Sequence, residues 1–158
     1  MSVRCKPCAL RRDLRCRLAD QIDDLEDDPE FDTTPKCGET HLFFGCRRSN
    51  HDFLYSAELQ KYESLGVLTK LHVAFSREQA FKVYVQHRMR EHGELLAKLI
   101  LRNNASVFVC GDGQNMARDV HQCLQDVLQL HGNLSMKEAQ DTLVELAKRG
   151  RYVKDVWS

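Results

Sequence analysis

The chain has 158 residues, 42% of them hydrophobic, and sets 23 Lys and Arg against 23 Asp and Glu. That length suits one domain able to bury roughly 70% of its unfolded surface, while a net charge of +0 excludes a general electrostatic pull toward nucleic acid or membrane. Seven irregularly spaced cysteines argue against a secreted disulfide framework. No apolar run approaches a membrane span or a signal-peptide core, so a soluble cytoplasmic protein is expected.

Residues 1–37 differ from the rest, being basic over 4–17 and acidic over 20–32. Blocks of like charge stay solvated, so this segment is expected to be a disordered tail, with a polar helix over 10–25 as the alternative. Cys5-x-x-Cys8 is followed by Cys16, Cys37 and His41, but the second regularly spaced ligand pair of a structural zinc site is missing, so no metal is expected.

From His41 the composition turns apolar. His41-Leu-Phe-Phe-Gly-Cys46 reads as a buried strand, followed by Arg47 and Arg48. A helix is expected over 53–64, stopped by Gly66, then a strand over 67–75 ending in Val73, Ala74 and Phe75. The alternation in 82–86 fits an extended lead-in with Lys82, Tyr84 and Gln86 on one side, or equally the first turn of a helix through Arg90. Helix continues over 94–102.

Val107-Phe-Val109 is an apolar run of the kind covered on both faces of a parallel sheet. Gly111 and Gly113 then break the strand, and Met116, Val120, Cys123, Leu124 and Val127 recur at helical spacing. Ser135-Met-Lys-Glu138 is a capping box opening a last helix with Ala139, Leu143 and Leu146 on one stripe, closed by Gly150. The tail from Arg151 to the end finishes as a short strand. Strands alternating with helices in this order imply a doubly wound sheet.

In such sheets ligands bind beyond the carboxyl ends of the strands. Cys110 and Asp112 fall there, although a buried thiol and a helix cap are the plainer readings. Ser76, Arg77, Lys82 and Tyr84 follow the second strand, where a cation accommodates the 2′-phosphate of NADP and an acid the 2′-hydroxyl of NAD. Together they supply a guanidinium fork, an ammonium and hydroxyl donors. Ser76-Arg-Glu-Gln79 also fits a capping box, which is compatible with anion binding at a helix N-terminus. Trp157 either pins the tail onto the body or covers the face of a redox cofactor, and Asp155 stands two residues before it.

Five ordered motifs carry a resemblance. They are Leu42-Phe-Phe-Gly-Cys-Arg-Arg48, Ala74-Phe-Ser-Arg-Glu-Gln79, Lys82-Val-Tyr-Val-Gln-His87, Cys110-Gly-Asp-x-x-Asn-Met-Ala-Arg-Asp119 and Arg151-Tyr-x-x-Asp-Val-Trp-Ser158. Residues 38–158 resemble the C-terminal NADPH-binding module of the diflavin reductases, a ferredoxin-reductase-like family that includes reductases of cytochrome P-450 and of methionine synthase. The resemblance implies a three-layer α/β fold around a doubly wound parallel sheet. The strand and glycine-rich turn that open the family module do not precede Gly38, so the sheet is expected to lack its first strand and the chain, without the FAD-binding and FMN domains, to be a fragment, a truncated gene product or a divergent isoform.

By this resemblance Ser76, Arg77, Lys82 and Tyr84, with Gln86 beside them, form the 2′-phosphate clamp. Arg47 and Asp119 contact the dinucleotide, Cys110, Asp112 and Asp155 lie by the nicotinamide, and Trp157 stacks on the flavin. The implied activity is hydride transfer from NADPH to FAD and electron transfer through FMN to an acceptor protein. The P-450 reductase pattern fits best, with methionine synthase reductase or a truncated module without catalysis as alternatives. The implied location is the cytosol, or the cytosolic face of the endoplasmic reticulum for a full-length P-450 reductase type.

Overall fold

The computed structural model describes residues 1–5, 38–112 and 115–157. Its first element is not the expected one. Strand β1 (Ser2–Cys5) belongs to the segment read from sequence as a charged tail, and it lies in the middle of a five-stranded sheet. The elements that follow are β2 (Thr40–Cys46), α1 (Ser56–Ser64), β3 (Lys70–Phe75), α2 (Val85–Glu91), α3 (Gly93–Leu101), β4 (Ala105–Asp112), α4 (Met116–Gly132), α5 (Met136–Lys148) and β5 (Tyr152–Trp157).

The strand order is β3-β2-β1-β4-β5. β2 pairs parallel with β3, and β4 with β5, whereas β1 runs antiparallel to both β2 and β4. Two strands each antiparallel to β1 run in the same direction, so the carboxyl ends of β2, β3, β4 and β5 share one end of the sheet. The place where a first parallel strand was expected to be missing is filled in reverse. Ser2 pairs with Leu42 on one side and Phe108 on the other, and Arg4 with Thr40 and Ser106. Without a strand there, the inner edges of β2 and β4 would leave backbone donors and acceptors without partners in the interior. The rest of the presumed tail, 6–37, with its CxxC second cysteine and charge blocks, lies outside the described residues.

Alternation along β4 separates two faces. Val107 and Val109 are fully covered, whereas Phe108 between them is 37% exposed. The expectation that this run is covered on both faces therefore fails at Phe108. Phe43, Val107 and Val109 pack beneath Met89 of α2, Leu96, Leu99 and Ile100 of α3, Val120, Leu124 and Leu128 of α4 and Leu143 of α5. Each such side chain contributes about 1.5–3 kcal/mol over its exposed state. On the opposite face Phe53, in the loop before α1, packs on Phe44 and Phe75 with ring centroids 5.3 and 5.7 Å apart.

The single helix expected from residue 82 onward is two, broken at His92. That residue ends α2 and begins α3 with φ −110° and ψ 28°. Its ring lies 4.2 Å from that of His72, and Gly93 after it meets the His131 ring of α4 where no Cβ fits. The capping box at Ser135 is as expected: the Glu138 N–H donates to Ser135 Oγ at 3.3 Å and the Ser135 N–H to Glu138 Oε2 at 2.8 Å. No helix among the described residues is long and apolar enough to cross a membrane.

Candidate functional site

Every sequence-nominated residue falls at or near the carboxyl end of the sheet, in three groups. The first is the pair of loops after β2 and β3. Hydrogen bonding runs on past the strands, with the Ser76 N–H donating to Cys46 O at 2.9 Å and the Arg77 N–H to Arg47 O at 3.0 Å. Arg47, Ser76 and Arg77 are thus neighbours by backbone geometry. The Asp52 carboxylate receives the N–H groups of Arg47, at 2.9 and 3.1 Å, and of Arg48, at 2.7 Å. These bonds, that of Arg48 foremost, hold its carboxyl below the usual carboxylate range. Glu78 accepts the Ser49 N–H and is held low by Ser49 in the same way.

The two carboxylates therefore brace backbone rather than pair with the cationic heads. Among the described residues Arg47, Arg48, Arg77 and Lys82 stand in no ion pair, and all four are exposed. One sequence reading is corrected at this point. Residues 76–81 are not helical, so Ser76 caps no helix: Glu78 is drawn to Ser49, and the Gln79 side chain donates back to Phe75 O.

The second group lies between α2 and α4. Residues 82–84 are not helical, Tyr84 is extended, and the helix begins at Val85, so the helix through Arg90 starts within the segment, after Tyr84. Gly45 permits the close approach, because a Cβ there would stand 2.7 Å from Val85 Cγ2. Arg88 Nε donates to Val73 O at 3.0 Å and fastens α2 to β3, while Cys123 Sγ donates to Gln86 O at 3.5 Å and fastens it to α4. What remains open is a cavity of about 240 Å³ lined by Tyr84, Gln86, His87, Arg90, Asp119 and Gln122.

Tyr84, Gln86 and Asp119 were nominated from sequence and are brought together here; Ser76, Arg77 and Lys82 are not part of the lining. His87, Arg90 and Gln122 were missed. Their signal was present in the spacing, since 86 and 90, and 119 and 122, share helix faces. His87 Nδ1 accepts the Tyr84 N–H at 2.9 Å, so the neutral ring carries its hydrogen on Nε2 as a donor.

The third group is the β4–β5 edge. Cys110 is in register with Asp155 and Asp112 with Trp157. Residues two apart on paired strands share a face, so all four side chains lie on the face opposite α2, α3, α4 and α5. Cys110 is exposed rather than a buried small residue, and Asp112 ends β4 while the N-cap position of α4 is Asn115, which makes no side-chain cap bond. Both plainer readings are thereby set aside. Gly111 between them has φ +137°, and a Cβ there would stand 2.5 Å from Met116 Cε. Trp157 is 62% exposed, so its ring does not pin the tail.

A family profile described as oxidoreductase NAD-binding domain matches residues 19–122. The chain belongs to this family. It is 49% identical over 121 residues, 77% of its length, to NADPH--cytochrome P450 reductase of Rattus norvegicus and to that of Homo sapiens. The corresponding figures for the Aspergillus niger protein of that description are 47% over 124 residues and 78%. The chain spans 18% of the length of these relatives. Within the oxidoreductase NAD-binding family, the matched stretch is the NADPH-binding module of the diflavin reductases.

Proposed function

We propose that this chain binds NADPH and presents its nicotinamide to a flavin held by another domain, as part of a diflavin reductase of the NADPH–haemoprotein reductase type. The observations that carry the reading are the exposed cations Arg47, Arg77 and Lys82, which stand in no ion pair among the described residues, and the cavity lined in part by Tyr84, Gln86 and Asp119. A 2′-phosphate dianion takes guanidinium and ammonium donors, and the cavity's amides and carboxylate suit the adenosine hydroxyl and amino groups.

In this reading Cys110, Asp112 and Asp155 orient the nicotinamide and stabilise the charge that changes as hydride leaves C4. The exposed Trp157 ring covers the flavin face until nicotinamide replaces it. FAD, when bound, supplies the two-electron to one-electron conversion, and FMN passes electrons to an acceptor such as a haemoprotein. Both flavins belong to domains other than this one. The cytosol, or the cytosolic face of the endoplasmic reticulum, is the location proposed with this role.

The test is retention on immobilised 2′,5′-ADP with elution by NADPH and not by NADH. Passage of well-folded protein straight through the matrix would overturn the reading. A second reading is a module that keeps nucleotide affinity without catalysis. It is distinguished by nucleotide-dependent thermal stabilisation with no diaphorase activity even when FAD is added.

A further inference from the structure

Among the described residues Arg90 is the one Lys or Arg lining the cavity and Asp119 the one carboxylate. Among the described residues its guanidinium has one ion-pair partner, with Nη2 donating to Asp126 Oδ2 at 3.3 Å, while Gln122 Nε2 donates to the other carboxylate oxygen at 3.0 Å. The two charged side chains are 52% and 43% exposed. A pair this long and this wet contributes about 0–1 kcal/mol. It is therefore easily exchanged for a partner that takes the guanidinium fork by two oxygens, as a phosphate does. One helical turn earlier are Gln86 and His87, whose Nε2–H is a further donor on the same wall.

We propose that Arg90 is a specificity-determining residue for the 2′-phosphorylated coenzyme, held at the cavity wall by Asp126 and exchanging that carboxylate for a phosphate oxygen when nucleotide enters. The inference rests on the NADPH-binding reading above and adds to the loop cations a contact from the helix side. It gives Asp126 the role of competitor. Removing the cation and removing its carboxylate partner must therefore act in opposite directions, whereas two halves of a structural bridge would act in the same one.

The experiment is isothermal titration calorimetry of the full 158-residue chain and of its Arg90→Gln, Arg90→Lys and Asp126→Asn variants with 2′,5′-ADP and with 5′-AMP. Folding is checked by far-ultraviolet circular dichroism. Arg90→Gln is expected to weaken 2′,5′-ADP about tenfold and to leave 5′-AMP unchanged, the size of one charge-assisted hydrogen bond. Arg90→Lys is expected to lose less, keeping charge without the fork. Asp126→Asn is expected to tighten 2′,5′-ADP about threefold, within the worth of an exposed pair.

Equal loss for both ligands in Arg90→Gln, no change in it, or weakening in Asp126→Asn would each overturn the assignment. If the wild type distinguishes the two ligands and the variants behave like it, the role of Arg90 falls and the NADPH reading stands. If the wild type does not distinguish them, both fall together.

Discussion

Cys110 on β4 lies in register with Asp155 on β5, one strand spacing apart and on the sheet face away from α2, α3, α4 and α5. A thiol and a carboxylate held side by side on rigid strands suit work on one small group, and both are exposed. Joined to a flavin-bearing domain of the diflavin reductase type, Cys110→Ala and Asp155→Asn are each expected to lower kcat by about tenfold or more, as loss of one preorganised polar partner does. The KM for NADPH should stay within about twofold, because neither residue lines the cavity. Stopped-flow flavin reduction checks this; an effect on KM with kcat intact would contradict it.

The reversed central strand is expected to be indispensable to the fold. Val3 pairs with His41 and Val107 at once, so Val3→Pro removes an N–H from a central strand where proline is not otherwise found. A loss of about 3 kcal/mol or more is expected, read as a lower urea midpoint. An unchanged midpoint would show that β2 and β4 do not depend on β1.

Much of the sheet was legible because β2 and β4 carry short apolar runs and α5 opens on a capping box whose two bonds form as written. β1 was not, since Ser2–Cys5 alternates polar and apolar residues over four positions only, too short a signal beside the charged run that follows it. The break at His92 was hidden by the apolar period continuing through Leu95, Leu96 and Leu99, while the rings of His72 and Phe43 that receive His92 come from distant strands. The β4–β5 group was readable from its motifs. The cavity was only half readable, because Arg90 meets Asp126 across 36 residues of chain and no local pattern announces such a meeting.

Two histidines absent from the functional motifs, His41 and His72, are expected to set an acid limit on stability. His41 Nδ1 and His72 Nε2 share one hydrogen at 3.3 Å, and His72 stacks on Phe43 at 4.3 Å with His92 beyond. Burial, then His92, His41 and Lys70, push His72 down to about 4 against the pull of Glu63. His41 is lowered by burial against the pull of Glu39. Because the unfolded histidine titrates near 6.5, the unfolded chain binds protons that the folded one refuses between that value and about 4. Stability from this site is complete above pH ~6.5 and falls as pH drops through that window. The full loss is of order 3 kcal/mol. His72→Asn is expected to flatten urea midpoint against pH there; parallel curves for variant and wild type would contradict it.

Arg77 is exposed and outside any ion pair among the described residues, with its backbone fixed to Arg47 O. Arg77→Ala is therefore expected to leave stability within about 0.5 kcal/mol while weakening NADPH about tenfold and NADH little. Fluorescence titration with the two reduced coenzymes reads the ratio directly, and an equal effect on both would remove Arg77 from the clamp.

Recognition of the extra phosphate is what separates NADP⁺ from NAD⁺ at this site. Calorimetric titration of the folded chain with NADP⁺ and with NAD⁺ under identical salt measures it: NADP⁺ is expected to bind at least tenfold tighter, the size of one charge-assisted hydrogen bond. Equal affinities, or no heat with NADP⁺, would contradict the account.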